Sequence, residues 1–179
     1  MLDMEKLEKL AKDCGFTCCG EMTVDTLEFL PEVRDMCEHN TCGMWNKSWA
    51  CPTACGTLEE MRDRVKRYTR GILVQTVGQM EDSFDFEVMQ ETAVAQNENF
   101  QKMWDALEKD YPDLLAMGTG GCTKCKKCTY PDAPCRFPNR MCPSMEGAGL
   151  VVNAVCTKNG MKYNHGPNTI CYTACFLLE

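Results

Sequence analysis

The residues with the most chemistry to offer lie in Gly121-Cys122-Thr123-Lys124-Cys125-Lys126-Lys127-Cys128, a C-x-x-C-x-x-C run followed by Cys135. Three thiolates at successive spacings of three can wrap one face of a cubane cluster, each reaching a different iron. The bacterial ferredoxin run opens in the same way and places its last cysteine beside a proline. Tetrahedral zinc more often draws on two separated C-x-x-C pairs, each forming one knuckle. The spacing therefore predicts a [4Fe–4S] site within about residues 121–145, with Zn2+ as the alternative. Two residues compete for the fourth position: Cys135 by proximity, Cys142 because Pro143 follows it. In two-cluster ferredoxins the last cysteine of the run ligates the other cluster, so spacing leaves both open, as it does whether ligands cross between sites. Four thiolates on an oxidised cubane core leave a net charge of about −2, which nearby cations stabilise. Lys124, Lys126, Lys127 and Arg136 stand among these thiols; a solvated charged turn is the plainer account of the lysines.

A second group comprises Cys37-x4-Cys42-Gly43 and Cys51-x3-Cys55-Gly56, two pairs each followed by glycine. Glycine after a ligand cysteine lets the backbone turn N–H groups toward sulfur, and such contacts shift a metal's potential. Two paired knuckles also suit zinc, so Zn2+ competes more strongly with iron–sulfur here than in the second loop. Cys55 lies two residues before Thr57, and Thr57-Leu58-Glu59-Glu60 reads as a capping box. The loop of about residues 37–56 would then meet a helix N-terminus, where an anionic centre is favoured. His39 is an alternative ligand, while Trp45 and Trp49 either wall the site from water or belong to the core.

These groups account for the distribution of all fifteen cysteines: seven fall between Cys14 and Cys55, eight between Cys122 and Cys175, and none in the 66 residues from Gly56 to Gly121. Stapled surfaces spread their cysteines; two clusters imply two sites. Cys14, Cys18, Cys19, Cys156, Cys171 and Cys175 fall on predicted helix or strand faces and read as core, where free cysteine packs as a small hydrophobe. The N-terminal stretch MLDMEKLEKLAKDCGF is charged and amphipathic, unlike a secretion signal. A cytoplasmic, reducing location is therefore expected, where disulfides rarely persist and metal is the better explanation of the thiols.

The positioning elements follow from periodicity. Met4, Leu7, Leu10, Ala11 and Cys14 recur at helical spacing up to Gly15, Phe16–Val24 reads as a short strand, and Pro31 opens a brief helix reaching Cys37. Leu58, Met61, Val65 and Tyr68 form one helical stripe, and GILVQTV (71–77) reads as an inner strand. A helical region runs from about Asp85 to Lys109, with a break expected near Asn97 or Asn99. Pro112 is expected to end it or restart a turn carrying Leu114, Leu115 and Met117. Leu150–Thr157 reads as a strand with a tight turn at Asn159-Gly160, and Ile170–Leu178 as a final strand. The sum is an α+β class: a compact single domain over 1–179, with a small mixed sheet, flanking helices and two cysteine-rich metal-binding loops. Hydrophobic residues at 44% and charged residues at 25% exclude disorder as the main state. A net charge of −7 argues against non-specific nucleic-acid binding, and no apolar run approaches a membrane span.

The stretches CGMWNKSWACPTACGTLEE, ILVQTVGQMEDSFDFE, GTGGCTKCKKCTYPDAPCRFPNRMCPSMEGAG and YNHGPNTICYTA together resemble the bacterial and archaeal "predicted metal-binding protein" family, domain of unknown function 2284. The resemblance runs from about Leu7 to Phe176. It implies Cys37, Cys42, Cys51, Cys55, Cys122, Cys125, Cys128 and Cys135 as the metal ligands. The chain departs from the family habit at Trp45-Asn46, where Tyr-Gly is usual, and at Thr53, where a second proline is usual; both changes leave the thiols intact. The leading functional expectation is a protein with two [4Fe–4S] clusters, passing single electrons between a redox partner and an acceptor. One alternative is an enzyme whose cluster adjoins a small-molecule site, with Arg136 binding an anion and Ser144 or Glu146 moving protons. With only His39 and His165 as imidazoles and no Ser/His/Asp set, acid–base catalysis is thinly supported. The other alternative is a zinc-stabilised interaction module.

Overall fold

A computed structural model describes residues 2–179. Helix α1 (Met4–Cys14) starts at Asp3, whose carboxylate accepts from the Lys6 N–H at 3.0 Å. It stops at Gly15, whose φ of 105° is the left-handed conformation that glycine adopts without a Cβ penalty. Strands β1 (Cys18–Thr23), β2 (Arg70–Gln79), β3 (Leu115–Met117) and β4 (Thr169–Leu177) form one sheet in the order β1-β2-β4-β3. The α+β class expected from the sequence holds. The sheet, expected to be mixed, is antiparallel at each of its three pairings.

The central pair β2–β4 runs from Gly71 opposite Leu177 to Gln79 opposite Thr169. Both strands are covered on two faces, which is why their sequences are near-continuous apolar runs. On one face Ile72, Val74, Ala174 and Phe176 pack against α1 and α4 (Phe86–Leu107), chiefly through Leu7, Ala11, Phe100, Met103 and Trp104. Phe176 is fully buried and stacks on Phe100 at 4.8 Å, a burial worth about 1.5–3 kcal/mol. On the other face Leu73, Met117, Cys175 and Leu177 pack against α3 (Leu58–Val65) and α5 (Val152–Lys158). Helix α2 (Pro31–Glu38) precedes α3, with Pro31 in its first turn as expected.

Four local expectations are corrected. The segment read as a strand at 150–157 is mostly helix α5, because Val152, Val155 and Cys156 bury one face at helical spacing; a short apolar run does not distinguish the two. Asn159-Gly160 accordingly closes that helix rather than turning a hairpin. Leu115–Met117, expected in a turn, is the edge strand β3. Helix α4 is unbroken at Asn97 and Asn99. The Asn97 amide donates to the Ala93 carbonyl at 3.0 Å, and the buried Asn99 amide to the Thr76 hydroxyl at 3.4 Å, so both are satisfied without breaking the helix.

The two cysteine loops thus join defined elements. The first connects α2 to α3, and the second connects β3 to α5. No helix among the described residues is long and apolar enough to cross a membrane.

Candidate metal centre

The first loop is anchored at both ends by helices. Cys37 sits in the last turn of α2, one turn beyond Arg34. At the far end Thr57 caps α3: its hydroxyl accepts from the Glu60 N–H at 3.1 Å, and the Glu60 carboxylate accepts from the Thr57 N–H at 2.6 Å. Between them Cys37, Cys42, Cys51 and Cys55 come within electrostatic reach of one another. Burial pushes the Cys51 thiol up to about 11, and neighbouring Cys55, Cys42 and Cys37 add to the rise. Burial also raises Cys37 and Cys55, while the Arg34 guanidinium pulls both back. Cys55 is buried, its thiol donating to the Gly147 carbonyl at 3.8 Å.

Arg34 is the unexpected member of this group. Its Nη1 donates to the Gly56 carbonyl at 2.9 Å, but its buried Nε and Nη2 have no hydrogen-bond partner among the described residues. Two orphaned donors on a cation close to Cys37 and Cys55 are costly unless an anion completes them.

In the second loop Cys122, Cys125, Cys128 and Cys135 line one void of about 20 Å³, together with Trp49 and Arg140. Burial raises the Cys122 thiol, with Cys125, Cys135 and Cys128 contributing. Cys128 behaves oppositely. Burial alone would raise it, but the nearby Tyr130, Trp49 and Thr129 N–H groups and the Ser48 hydroxyl favour its thiolate and hold it below the usual thiol range. Such a nest favours a thiolate. Arg140 repeats the pattern of Arg34: it pairs with Asp105 and with Glu108 at 3.1 Å and lies 5.0 Å over the Trp104 ring, yet its buried Nη1 has no partner among the described residues.

The two competitors for the fourth position part here. Cys135 shares the void of the other three thiols, whereas Cys142 lies in an adjoining crevice with Cys122, where burial pushes it up to about 12. Arg136 also lines the void, its Nη1 donating to the Lys127 carbonyl at 2.9 Å. Lys124 reaches Gln101 at 3.5 Å and lies 5.7 Å over the Phe137 ring, while Lys126 is exposed and lines neither the void nor the crevice. His39 is exposed at the end of α2, outside the cavity that Cys37, Cys42 and Cys51 line. Among the described residues, no group of three or more His, Cys, Asp or Glu side chains could hold a metal ion as it stands.

The loops are joined to each other. Trp49 Nε1 donates to the Ala133 carbonyl at 3.0 Å, its ring meets Tyr130 edge-on at 4.9 Å, and the Tyr130 hydroxyl bonds Asn46. Ser48 is buried between the two sets, and its hydroxyl favours the thiolate at both Cys51 and Cys128, one from each set. Trp49 therefore sits between the loops, while Trp45 lines a larger cavity of about 410 Å³ beside the first one. That cavity is also lined by Cys37, Cys42, Cys51, Glu146, Tyr163 and Cys171. Of the six cysteines read as core, Cys14, Cys156 and Cys175 are buried, Cys18 and Cys19 are half-buried, and Cys171 faces this cavity.

Sequence reasoning missed Arg34, Arg140 and Ser48. Arg34 carried a signal, standing three residues before Cys37 on a predicted helix and so on the same face. Arg140 is only two residues from Cys142, and nothing local marks Ser48.

The family model described as "Predicted metal-binding protein (DUF2284)" matches residues 21–178, so the chain belongs to that family, and the resemblance read from its cysteine motifs is borne out. No curated protein matches the chain. Among solved structures it is similar to epoxyqueuosine reductase from Bacillus subtilis, at a TM-score of 0.45 and 10% identity, over 98% of this chain and 45% of that one. The chain spans less than half the length of that reductase.

Proposed function

We propose that the chain is an iron–sulfur protein holding two [4Fe–4S] clusters, one per cysteine loop, and that it passes single electrons to or from a partner redox protein. The observation that carries this reading is the pairing of each four-thiol set with an arginine whose buried N–H lacks a partner. Four thiolates around an oxidised cubane leave a charge of about −2, which both arginines would complete. A tetrathiolate zinc site carries the same charge, so the choice of iron rests on the C-x-x-C-x-x-C spacing of Cys122, Cys125 and Cys128. The void of the second set has room for about one water, so loading requires the 122–141 loop to move outward.

A cubane cluster supplies a one-electron couple whose charge change spreads over four irons. Around it, this chain's residues have separate tasks. Cys37, Cys42, Cys51 and Cys55 would hold the first cluster, and Cys122, Cys125, Cys128 and Cys135 the second. Arg34 and Arg140 would set their charge environment, and N–H donors to Cys128 would tune the second. Ser48, beside one thiol of each set, would lie between the two clusters. The net charge of −7 would steer docking toward a basic patch on the partner. A reducing cytoplasm is the location in which so many free thiols persist.

Anaerobic purification with iron, zinc and acid-labile sulfide analysis tests the reading. The expected result is about eight iron and eight sulfide per chain, a broad absorption near ~400 nm bleached by dithionite, and an EPR signal on reduction. Colourless protein with about two zinc and no iron would overturn it in favour of a zinc-stabilised module.

A further inference from the structure

The cavity of about 410 Å³ beside the first cysteine loop is larger than thiol coordination requires, and within the range of small-molecule sites. Its walls extend well beyond the loop, to Tyr163 and to Ile170–Thr173 of β4. Several of its polar atoms already have partners inside the protein. The Tyr172 hydroxyl donates to the Met89 carbonyl at 3.2 Å, the Thr119 hydroxyl to the Thr173 carbonyl at 2.7 Å, and the Thr173 hydroxyl accepts from Gln75 at 3.3 Å. Glu146 differs. It is exposed and lines the cavity, close to the Ser144 hydroxyl, which accepts from the Gly147 N–H at 2.8 Å. The result is a chamber lined by Trp45, Tyr163 and Tyr172, with the Glu146 carboxyl on its wall as a hydrogen-bond acceptor.

We propose that this chamber binds an uncharged aromatic heterocycle carrying an N–H, which stacks among Trp45, Tyr163 and Tyr172 and donates to Glu146 beside the first cysteine loop. Aromatic walls favour a flat π-system, apolar surroundings penalise a full charge, and a carboxyl acceptor favours an N–H donor. The proposal rests on the function proposed above only for the metal centre that it places on one wall, formed by Cys37, Cys42 and Cys51.

The test is ligand-detected NMR with anaerobically purified full-length chain, using benzimidazole as probe and benzofuran as its counterpart lacking N–H. Benzimidazole should bind at least ten-fold more tightly than benzofuran. Glu146→Ala should remove most of that preference, a loss of about ten-fold. Ile170→Trp, which fills the chamber from β4, should abolish binding of both while leaving metal content and circular dichroism unchanged. Absence of benzimidazole binding at millimolar concentration overturns the proposal, as does undiminished binding by Ile170→Trp. Equal binding of benzofuran overturns the ligand class. Metal content of the same samples reports separately on the iron–sulfur reading: colourless protein that still binds benzimidazole at this site keeps the chamber and loses the clusters, and iron-loaded protein that ignores the probe does the reverse.

Discussion

At the scale of single residues, the informative groups are those that the fold leaves incomplete. Arg34 spends one N–H on the Gly56 carbonyl and holds two others buried beside thiols. If those thiols carry an iron–sulfur centre, the guanidinium favours its reduced, more negative state. Arg34→Met should then lower the potential of the first centre by roughly 60 mV, a tenfold change in a one-electron equilibrium, and Arg34→Lys should restore part of it. An EPR-monitored redox titration reads the shift, with the second centre's signal as internal control. Cys175 makes a different point. Burial in the core pushes its thiol from 9.0 up to about 12, so the folded chain keeps a proton that the unfolded chain releases above about pH 9. The unfolded state then binds fewer protons, and stability must fall as pH rises from about 9 toward 12, by about 1.4 kcal/mol per unit for this thiol. Urea midpoints of metal-free protein at pH 8 and pH 10 should show the loss, and Cys175→Ala should reduce its slope by one thiol's share.

At the scale of elements, the β2–β4 pair holds the site in place. β4 ends in the core and begins at the chamber wall, so its register sets where Cys171, Tyr172 and Thr173 stand relative to the first loop. That register depends on close approach at Gly71, where an added Cβ would lie 2.2 Å from the Phe176 carbonyl oxygen. Gly71→Ala should therefore destabilise the chain by about 3 kcal/mol, measured by denaturant unfolding, because the neighbouring atom is backbone and has little freedom to retreat. The helices act on the loops rather than on the sheet register. α2 places Arg34 and Cys37 one turn apart, and the Thr57–Glu60 capping box fixes where the first loop must end. The second loop has no comparable helix at its entry; it is pinned by Gly118 pairing with Ser144 and by the contacts of Trp49.

For the whole molecule, two loops separated by more than sixty residues meet at Ser48, Trp49 and Tyr130. If their centres load independently, Cys125→Ser should remove about half of the bound iron and leave the EPR signal of the first centre. Complete loss of iron would show that the loops assemble together, through the Ser48 and Trp49 contacts that join them. Metal and sulfide analysis of the variant decides between these outcomes.

Much of this was legible in the sequence because it is local. Ligand spacing at Cys122, Cys125 and Cys128, the Thr57 capping box, the Gly15 stop and the stripe of α1 each depend on residues within a turn or two of one another. The eight favoured thiols were likewise named from motif and family resemblance. What needed tertiary structure was everything set by long-range pairing. A run such as Val151–Cys156 satisfies helix and strand alike until a neighbouring sheet face selects one. The placement of Cys135 rather than Cys142 in the shared void, the orphaned donors of Arg34 and Arg140, and the chamber between the first loop and β4 all arise where distant segments meet. Residue types and their spacing mark which thiols are candidates for metal. The packing of distant segments decided which of them share a void, because burial and electrostatic company are properties of the packed chain and not of its order.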